Sequence, residues 1–380
     1  MACAGHSGGI PAQAELAGQS IRTTVDADIA KYYLEQYLRG QHSRPELDEV
    51  IASLEREIGT GKSTRVALQN IARDRSTDLA ALMLWQSLSA NSTNRVGIEL
   101  FREELGRLKD ARGRASAPAV ADKPHVMIVF APGWLYRSQQ GNGADFARPR
   151  QILVESGART AVLDIEENGT IERNAQLITQ QLGALSQVNP VIIVVSASKA
   201  GPEVALALSE LHRRQPHHSV KAWVNIGGIL HGTALADRAV TWPWCWLVKL
   251  FVLQGHSFDG IESMTTWRSA LRSERVAIPP EIVVVNYIGI PLSGQVTERA
   301  RLGYGLMREE GPNDGLTPIV DEIAPASVTI ADLGLDHFFV DPDIDTKTIA
   351  LANTVIRLVL VPGTLPKGAV EAGTPARTAR

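Results

Sequence analysis

The sequence is poor in cysteine, in long apolar runs and in any excess of charge of one sign. Two cysteines, Cys3 and Cys245, occur in 380 residues, which excludes a disulfide framework and a four-cysteine zinc site. No window reaches the ~18 continuous apolar residues of a membrane span; the best candidate, 242–253, is too short and contains Lys249. The net charge of −3 offers no basic field to a nucleic acid. We therefore expect neither a membrane span nor a nucleic-acid partner.

What remains is an ordinary globular composition, with 44% apolar and 21% charged residues. Residues 1–24 are rich in glycine, alanine and serine without hydrophobic periodicity, which predicts a flexible arm. The arm contains no apolar signal-peptide core, so the sequence as it stands indicates a cytoplasmic protein. One alternative stays open: if a leader had been removed, Cys3 would be a lipid-bearing cysteine that anchors an exported protein.

Residues 25–112 have the period of amphipathic helices. Ile29 and Tyr33 fall on one helical face after Asp26, which is a suitable N-cap. Further helices are predicted over 46–58, 63–73, 76–89 and 94–110. No strand pattern interrupts them, so we expect an all-helical module, followed by a linker over 113–124 that is rich in Arg, Ala, Ser and Pro.

After the linker, short runs rich in valine and isoleucine alternate with helix-length segments. The runs lie at 125–131, 159–164, 191–195, 220–226, 282–288 and 327–333. Such runs are typical of strands buried on both faces of a mostly parallel sheet with crossover helices. The helical segments lie near 145–156, 171–186, 200–213 and 346–360. The predicted fold class of residues 125–360 is therefore α/β, with a helical insertion at about 232–275 and a disordered tail over 361–380.

The third of these runs leads directly into a turn of small residues, Ser196-Ala197-Ser198-Lys199-Ala200. A serine in a sharp strand-to-helix turn is raised above the sheet edge, beside the free N–H groups of the helix N-terminus. A turn that only packs a helix on a strand would have the same composition, so the pattern alone leaves both interpretations open. The turn resembles the nucleophile elbow of the α/β-hydrolase family, whose Gly-x-Ser-x-Gly pattern has serine and alanine at its glycine positions here.

Two later segments resemble the other catalytic loops of that family. Asp314, in an Asn-Asp-Gly turn, follows the fifth predicted strand, and His337 follows the sixth. Each has an ordinary alternative, because Asn-Asp-Gly is a common turn sequence and an isolated histidine is usually structural. The order Ser198, Asp314, His337 is nevertheless the order of the family. Asp336 is the rival acid, but adjacent side chains on an extended loop tend to diverge, so Asp314 is preferred.

The resemblance implies acyl transfer with a role for each group. Ser198 would attack the carbonyl carbon, His337 would take its proton and return it to the leaving group, and Asp314 would orient the imidazole. The oxyanion needs donors, which would be the backbone N–H of Lys199 and that of Trp134. The Trp134 loop reads Pro-Gly-Trp where the family usually has His-Gly; an ordinary Pro-Gly turn is its alternative.

Large aromatic residues are concentrated in the predicted insertion, at Trp242, Trp244, Trp246 and Phe251. Hydrolases of this family carry a cap at this place, so the resemblance implies an apolar pocket for the acyl group of a small-molecule ester or a lipid. Such a cap would also permit transient contact with a lipid surface. Ordinary core packing under a helical insertion is the alternative interpretation.

No pattern indicates a cofactor or a metal. The nine histidines include no His-Glu-x-x-His, and His217-His218 is expected in a loop without partner ligands. The segment 58–63 resembles a phosphate loop but has Arg56 where the first glycine is required. We therefore expect a serine hydrolase of carboxylic esters, esterase-like or lipase-like, of undetermined oligomeric state. The alternative is a non-catalytic binding or scaffold protein with a degenerate elbow.

Overall fold

The structure is a computed structural model that describes residues 9–16, 18–59, 64–111, 125–139, 141–241, 258–361 and 363–364. The chain divides into two compact units, which are described separately. The hairpin unit comprises Met1–Leu88, Gly289–Val320 and Ala331–Phe339. The sheet unit comprises Ser89–Ile288, Asp321–Ile330 and Val340–Arg380.

The hairpin unit contains an antiparallel pair of strands, β1 (Ile10–Leu16) and β2 (Gln19–Val25). The prediction of a flexible arm over residues 1–24 is therefore wrong from residue 10 onward. Along β1, Ala12, Ala14 and Leu16 are buried and alternate with exposed neighbours, which is the period of a strand with one face on a core. Two of these three buried residues are alanine, a poor strand former, and this hides the alternation in the sequence.

Four helices follow the hairpin, close to their predicted bounds. They are α1 (Asp28–Glu35), α2 (Pro45–Gly59), α3 (Thr64–Asp74) and α4 (Thr77–Ala90). Every residue of α4 from Thr77 to Trp85 is buried, so this helix lies inside its unit rather than on the surface. The same unit includes the C-terminal segments Gly289–Val320 and Ala331–Phe339. The stretch from α1 to α4 is helical, as predicted, but these helices share their unit with segments from the C-terminal part of the chain.

The fifth predicted helix, α5 (Ser92–Ala111), belongs to the sheet unit. A Cβ on Gly97 would lie 2.3 Å from a methyl carbon of Val328, so this glycine permits close packing on the last strand. Asn94 Oδ1 accepts the Thr329 N–H at 2.8 Å. These contacts join residues more than 200 positions apart, and no local pattern announces them. The predicted boundary between a helical module and a hydrolase domain is therefore wrong at α5.

Six strands form one parallel sheet among the described residues, as predicted. In chain order they are β3 (Val126–Ala131), β4 (Arg159–Val162), β5 (Val191–Ala197), β6 (Val220–Ile226), β7 (Val283–Ile290) and β8 (Val328–Leu333). Across the sheet the order is β4-β3-β5-β6-β7-β8. The central strand β5 is buried from Ile192 to Ser196, because a parallel strand between crossover helices has no face open to water.

The crossover helices also lie close to the predicted segments. They are α6 (Ala147–Glu155), α7 (Ile171–Ser186) and α8 (Ala200–Arg214). The hydroxyl of Thr170 caps α7 by accepting the Arg173 N–H at 3.1 Å. Helices α7 and α8 pack side by side. The predicted fold class, α/β with a mostly parallel sheet and crossover helices, is confirmed.

The described part of the predicted insertion is helical, with α9 (Ala234–Val240), α10 (Phe258–Glu262) and α11 (Thr266–Ser273). Two more helices follow among the described residues, α12 (Glu298–Leu306) and α13 (Ile344–Leu360). Cys3, the linker 113–124, residues 242–257 and nearly all of the tail 361–380 lie outside the described residues. Among the described helices, none is both long enough and apolar enough to cross a membrane.

Candidate active site

Ser198 stands in a sharp turn between β5, which ends at Ala197, and α8, which begins at Ala200. Its φ angle is +54°, in the left-handed region that disfavours every residue except glycine. Three backbone hydrogen bonds hold it there. The Ser198 N–H donates to the Ile226 carbonyl at 3.1 Å, and the Ser198 carbonyl accepts from Gly201 at 3.0 Å and from Ile229 at 3.2 Å. The backbone is therefore strained and tightly held, as in a nucleophile elbow.

Two glycines let the chain pack closely behind this turn. A Cβ on Gly201 would lie 2.8 Å from the Cα of Gly228, and a Cβ on Gly228 would lie 2.0 Å from Asn225 Oδ1. The start of α8 thus meets the segment after β6 backbone against backbone. The motif glycines of the hydrolase family are replaced here by buried Ser196 and Ala200. Gly201, one residue further on, was the available sequence signal for this close packing.

Ser196, the other serine of the turn, has a different environment. It is fully buried, and its Oγ accepts the Trp223 Nε1–H at 2.8 Å. A hydroxyl that satisfies a buried indole in the sheet is part of the packing rather than of a reactive centre. The structure therefore distinguishes the two serines in the way that the predicted elbow requires.

Lys199 follows Ser198, and its side chain is buried rather than directed to solvent. Its Nζ forms an ion pair with Glu203, one turn further along α8, and Asn174 Nδ2 donates to the same carboxylate at 2.9 Å. Burial raises the pKa of Glu203, while Lys199 and Asn174 oppose the rise. The Lys199 side chain thus has a structural partner, whereas its backbone N–H lies at the N-terminus of α8, where amides have no partner within the helix.

The loop that carries the second predicted donor packs against the elbow. A Cβ on Gly133 would lie 3.4 Å from the Ala197 carbonyl oxygen, and the Gly133 N–H donates to the Ala144 carbonyl at 2.9 Å. The next residue, Trp134, donates from its indole Nε1 to Asn168 Oδ1 at 3.1 Å. The sheet unit therefore brings together the Ser198 turn and the loop of Trp134, which were predicted to share the oxyanion site.

The hairpin unit brings Asp314 and His337 together. Asp314 Oδ2 and His337 Nδ1 form a hydrogen bond, and both side chains are almost completely buried. The other carboxylate oxygen, Oδ1, accepts the N–H groups of Leu316 and Thr317, each at 2.8 Å. The His337 N–H also donates to the Asp314 carbonyl at 2.9 Å. Backbone and side-chain bonds thus set the position of the imidazole relative to the acid.

The electrostatics of this pair favour an ionised acid and a basic imidazole. Burial opposes ionisation of Asp314, but the charge of His337 and the three hydrogen bonds outweigh it and hold the pKa of Asp314 below its usual value. Burial likewise opposes protonation of His337, but the Asp314 carboxylate outweighs it and raises the pKa of the imidazole. A histidine whose basicity is supported in this way is suited to general-base catalysis near neutral pH.

The rival acid, Asp336, is engaged elsewhere. Its Oδ2 accepts the Thr297 N–H at 2.7 Å, and its Oδ1 accepts the Phe338 N–H at 3.0 Å. These bonds hold the loop around His337 to the segment just before α12 (Glu298–Leu306). Asp336 therefore supports the loop, while Asp314 is the acid that bonds the imidazole.

The helices of the hairpin unit contact the loop that carries Asp314, which sequence reasoning missed. Buried Asp78 of α4 accepts the Ser293 N–H at 2.8 Å and the Tyr304 hydroxyl at 3.3 Å. Tyr304 in turn accepts the Asn313 side-chain amide on its carbonyl at 3.4 Å. Burial, together with the Asp26 carboxylate, raises the pKa of Asp78 to about 6. A buried carboxylate in an ordinary helical pattern leaves no signal in a single sequence.

Of the predicted substrate-pocket residues, Trp242, Trp244, Trp246 and Phe251 lie outside the described residues. Ser198, Lys199 and Trp134 are residues of the sheet unit, and Asp314 and His337 are residues of the hairpin unit.

Comparisons with known proteins give matches in structure but not in sequence. No protein-family model and no curated protein matches the chain. A metagenomic carboxyl esterase is 18% identical, with 65% of this chain and 79% of that chain covered and a TM-score of 0.49. The mature form of a Bacillus licheniformis lipase is 20% identical, with 65% and 94% covered and a TM-score of 0.47. A thioesterase of prodiginine biosynthesis from Streptomyces coelicolor is 15% identical, with 63% and 94% covered and a TM-score of 0.34. The proteins to which this chain is similar are thus carboxylesterases, lipases and thioesterases, which have the α/β-hydrolase fold.

Proposed function

We propose that the protein hydrolyses carboxylic esters, with Ser198 as the nucleophile, His337 as the general base and Asp314 as the orienting acid. The observation that carries the proposal is the left-handed backbone of Ser198, at φ +54°, between a buried strand and a helix N-terminus. Strain of this kind costs of order 1–3 kcal/mol and persists where the surrounding structure enforces it, as it does at active sites.

The buried Asp314–His337 pair and the sheet topology support this assignment. The elbow follows β5 and the His337 loop follows β8, and both strands belong to the same parallel sheet. Asp314 lies on the chain between β7 and β8. The three residues therefore come in the order Ser, Asp, His, after β5, β7 and β8, and this is the order in which hydrolases of this fold assemble a triad.

The chemistry would proceed in two steps. His337 Nε2 takes the hydroxyl proton as Ser198 Oγ attacks the carbonyl carbon, and the resulting oxyanion is stabilised by the N–H groups of Lys199 and Trp134. The alcohol leaves with the proton from His337, which gives an acyl-enzyme. Water, deprotonated by the same histidine, then releases the carboxylic acid and restores Ser198. Asp314 keeps Nδ1 protonated throughout, so that Nε2 is the nitrogen that exchanges protons.

For the substrate, we propose an ester with an apolar acyl group, on the strength of the aromatic residues of the predicted insertion. Each buried methylene contributes about 0.8 kcal/mol, which corresponds to a three- to fourfold gain in kcat/KM per added carbon. A series of p-nitrophenyl esters of increasing chain length measures this slope. A flat profile would leave a general esterase with a small acyl pocket.

The decisive experiment is labelling with a fluorophosphonate probe, because it requires an activated serine. We expect the folded protein to be labelled, the S198A variant to remain unlabelled, and the S196A variant to be labelled as the wild type is. On the best ester, S198A and His337→Ala should each lower kcat by roughly 10⁴–10⁶, and the double variant should lose little more. Absence of labelling in folded protein would favour the non-catalytic alternative, and strictly additive losses would contradict a triad that acts as a unit.

A further inference from the structure

Three potential metal ligands meet at the amino-terminal edge of the sheet, away from the serine turn. His212 lies in the last turn of α8, His218 lies just before β6, and Glu281 lies just before β7. One ligand atom from each lies within 4.8 Å of the other two. From the sequence alone, His218 is expected in a loop without partner ligands. That expectation is wrong, because the helix and the two strands bring together residues that are far apart along the chain.

His218 is the buried member of the cluster. Its exposed fraction is 4%, and its ring nitrogens make no hydrogen bond to another side chain. The imidazole bonds the backbone of Val220, and a histidine that bonds a backbone carbonyl through one ring nitrogen can bind a metal ion through the other. The neutral imidazole is the form of histidine that binds metals.

The other two residues complete a suitable donor set. His212 Nδ1 lies 3.0 Å from Glu281 Oε1, and both side chains are about two-fifths exposed. Ligands bound to tetrahedral zinc at about 2.0–2.1 Å are roughly 3.3 Å from one another. The distance between His212 and Glu281 is close to this spacing, and the ligand atom of His218 lies within 4.8 Å of both.

We propose that His212, His218 and Glu281 bind a divalent transition-metal ion, with zinc the best match. Two imidazoles and one carboxylate form a common zinc donor set, whereas calcium and magnesium prefer oxygen ligands alone. The ion would join the C-terminal end of α8 to the beginnings of β6 and β7. Helix α8 starts at the Ser198 turn, and His212 lies near its other end. The ion would therefore stabilise the sheet unit at the edge opposite to the serine turn.

The test is zinc binding by the full-length protein, purified without a histidine tag. The protein is equilibrated with ZnCl₂ and free metal is removed. Elemental analysis should then find one zinc ion per chain, and the binding of this ion should require the three residues of the cluster. At a zinc concentration 100 times Kd, the melting temperature should rise by about 4 °C. The exposed-ligand variants Glu281→Gln and His212→Gln should weaken zinc binding at least tenfold.

The adjacent His217 supplies a matched control, because it is exposed and lies outside the cluster. His217→Ala should bind zinc like the wild type, and so should S198A. His218→Ala should abolish binding; if it fails to fold, Glu281→Gln still decides the question. Zinc affinity that is unchanged in both Glu281→Gln and His212→Gln, or no binding by the wild type, would overturn the proposal.

Discussion

Replacing Asp314 by asparagine is the sharpest test of the proposed triad, because it changes hydrogen-bonding capacity while keeping the shape of the side chain. Oδ1 accepts two backbone N–H groups at 2.8 Å, and Oδ2 bonds His337 Nδ1. The two backbone donors require an acceptor, so the amide oxygen of the asparagine should occupy the Oδ1 position. Its NH₂ group then faces His337. Because that group only donates, Nδ1 must become an acceptor and the imidazole proton moves to Nε2.

An imidazole protonated at Nε2 cannot take a proton from Ser198 there. The expected loss of kcat is on the order of 10²–10⁴, or about 3–5 kcal/mol of activation free energy. The pH profile should change as well. In the wild type, kcat/KM should rise with pH through a midpoint above the usual histidine value of about 6.5, because Asp314 raises the pKa of His337. Without the Asp314 carboxylate, burial is opposed by the charge of Asp336 but no longer by that of Asp314, and this midpoint should move to lower pH.

The matched control is Asp336→Asn. Asp336 is as buried as Asp314 and also accepts two backbone N–H groups, but its bonds go to Thr297 and Phe338 rather than to the imidazole. Its replacement should cost kcat much less and should lower the pH midpoint less than Asp314→Asn does, because Asp336 acts on His337 through its charge alone. Steady-state kinetics of both variants between pH 5 and 9 on a soluble p-nitrophenyl ester decide the matter. If Asp336→Asn were the more damaging variant, Asp314 would lose its assigned role.

Three further predictions concern stability and are checked by urea unfolding. Asp78 has a pKa of about 6 when folded and about 3.9 when unfolded, so the native state holds its proton more tightly. Stability should therefore fall by about 2 kcal/mol as the pH rises from 4 to 7, and Asp78→Asn should lack this part of the slope. S196A leaves the buried Trp223 Nε1–H without its acceptor and should cost about 1–3 kcal/mol, while the folded variant keeps most of its kcat. Ser198→Gly should be more stable than S198A by about 1 kcal/mol, because glycine tolerates the positive φ; equal stabilities would contradict the left-handed backbone.

The predictable parts of this protein are those that local sequence encodes. Buried parallel strands require continuous apolar residues, so a run such as Val191–Val195 is visible without a structure. The serine turn is equally local, because a strand, small residues and a helix start follow one another directly. The choice between Asp314 and Asp336 also followed from local geometry, since neighbouring side chains on a loop diverge.

The features that escaped prediction depend on contacts between distant residues or on weak propensities. The β1–β2 hairpin is hidden because its buried face includes Ala12 and Ala14, whose strand propensity is low. The position of α5 in the sheet unit depends on Gly97 and Val328, which are far apart along the chain. The cluster of His212 with Glu281 has the same origin. Each requires the tertiary fold to be known first.

The distribution of backbone strain provides an argument for the site that is independent of any motif. Among the described residues, five that are not glycine have a positive φ angle: Leu135, Phe146, Ser198, Ala326 and Phe339. Three of them belong to the proposed site or lie within two residues of it: Leu135 next to Trp134, Ser198 itself, and Phe339 shortly after His337. Each such conformation costs of order 1–3 kcal/mol and needs rigid surroundings to persist. Glycine would relieve the strain at position 198, yet the chain has a serine there. The strained backbone is therefore the feature that positions the serine hydroxyl at the end of β5.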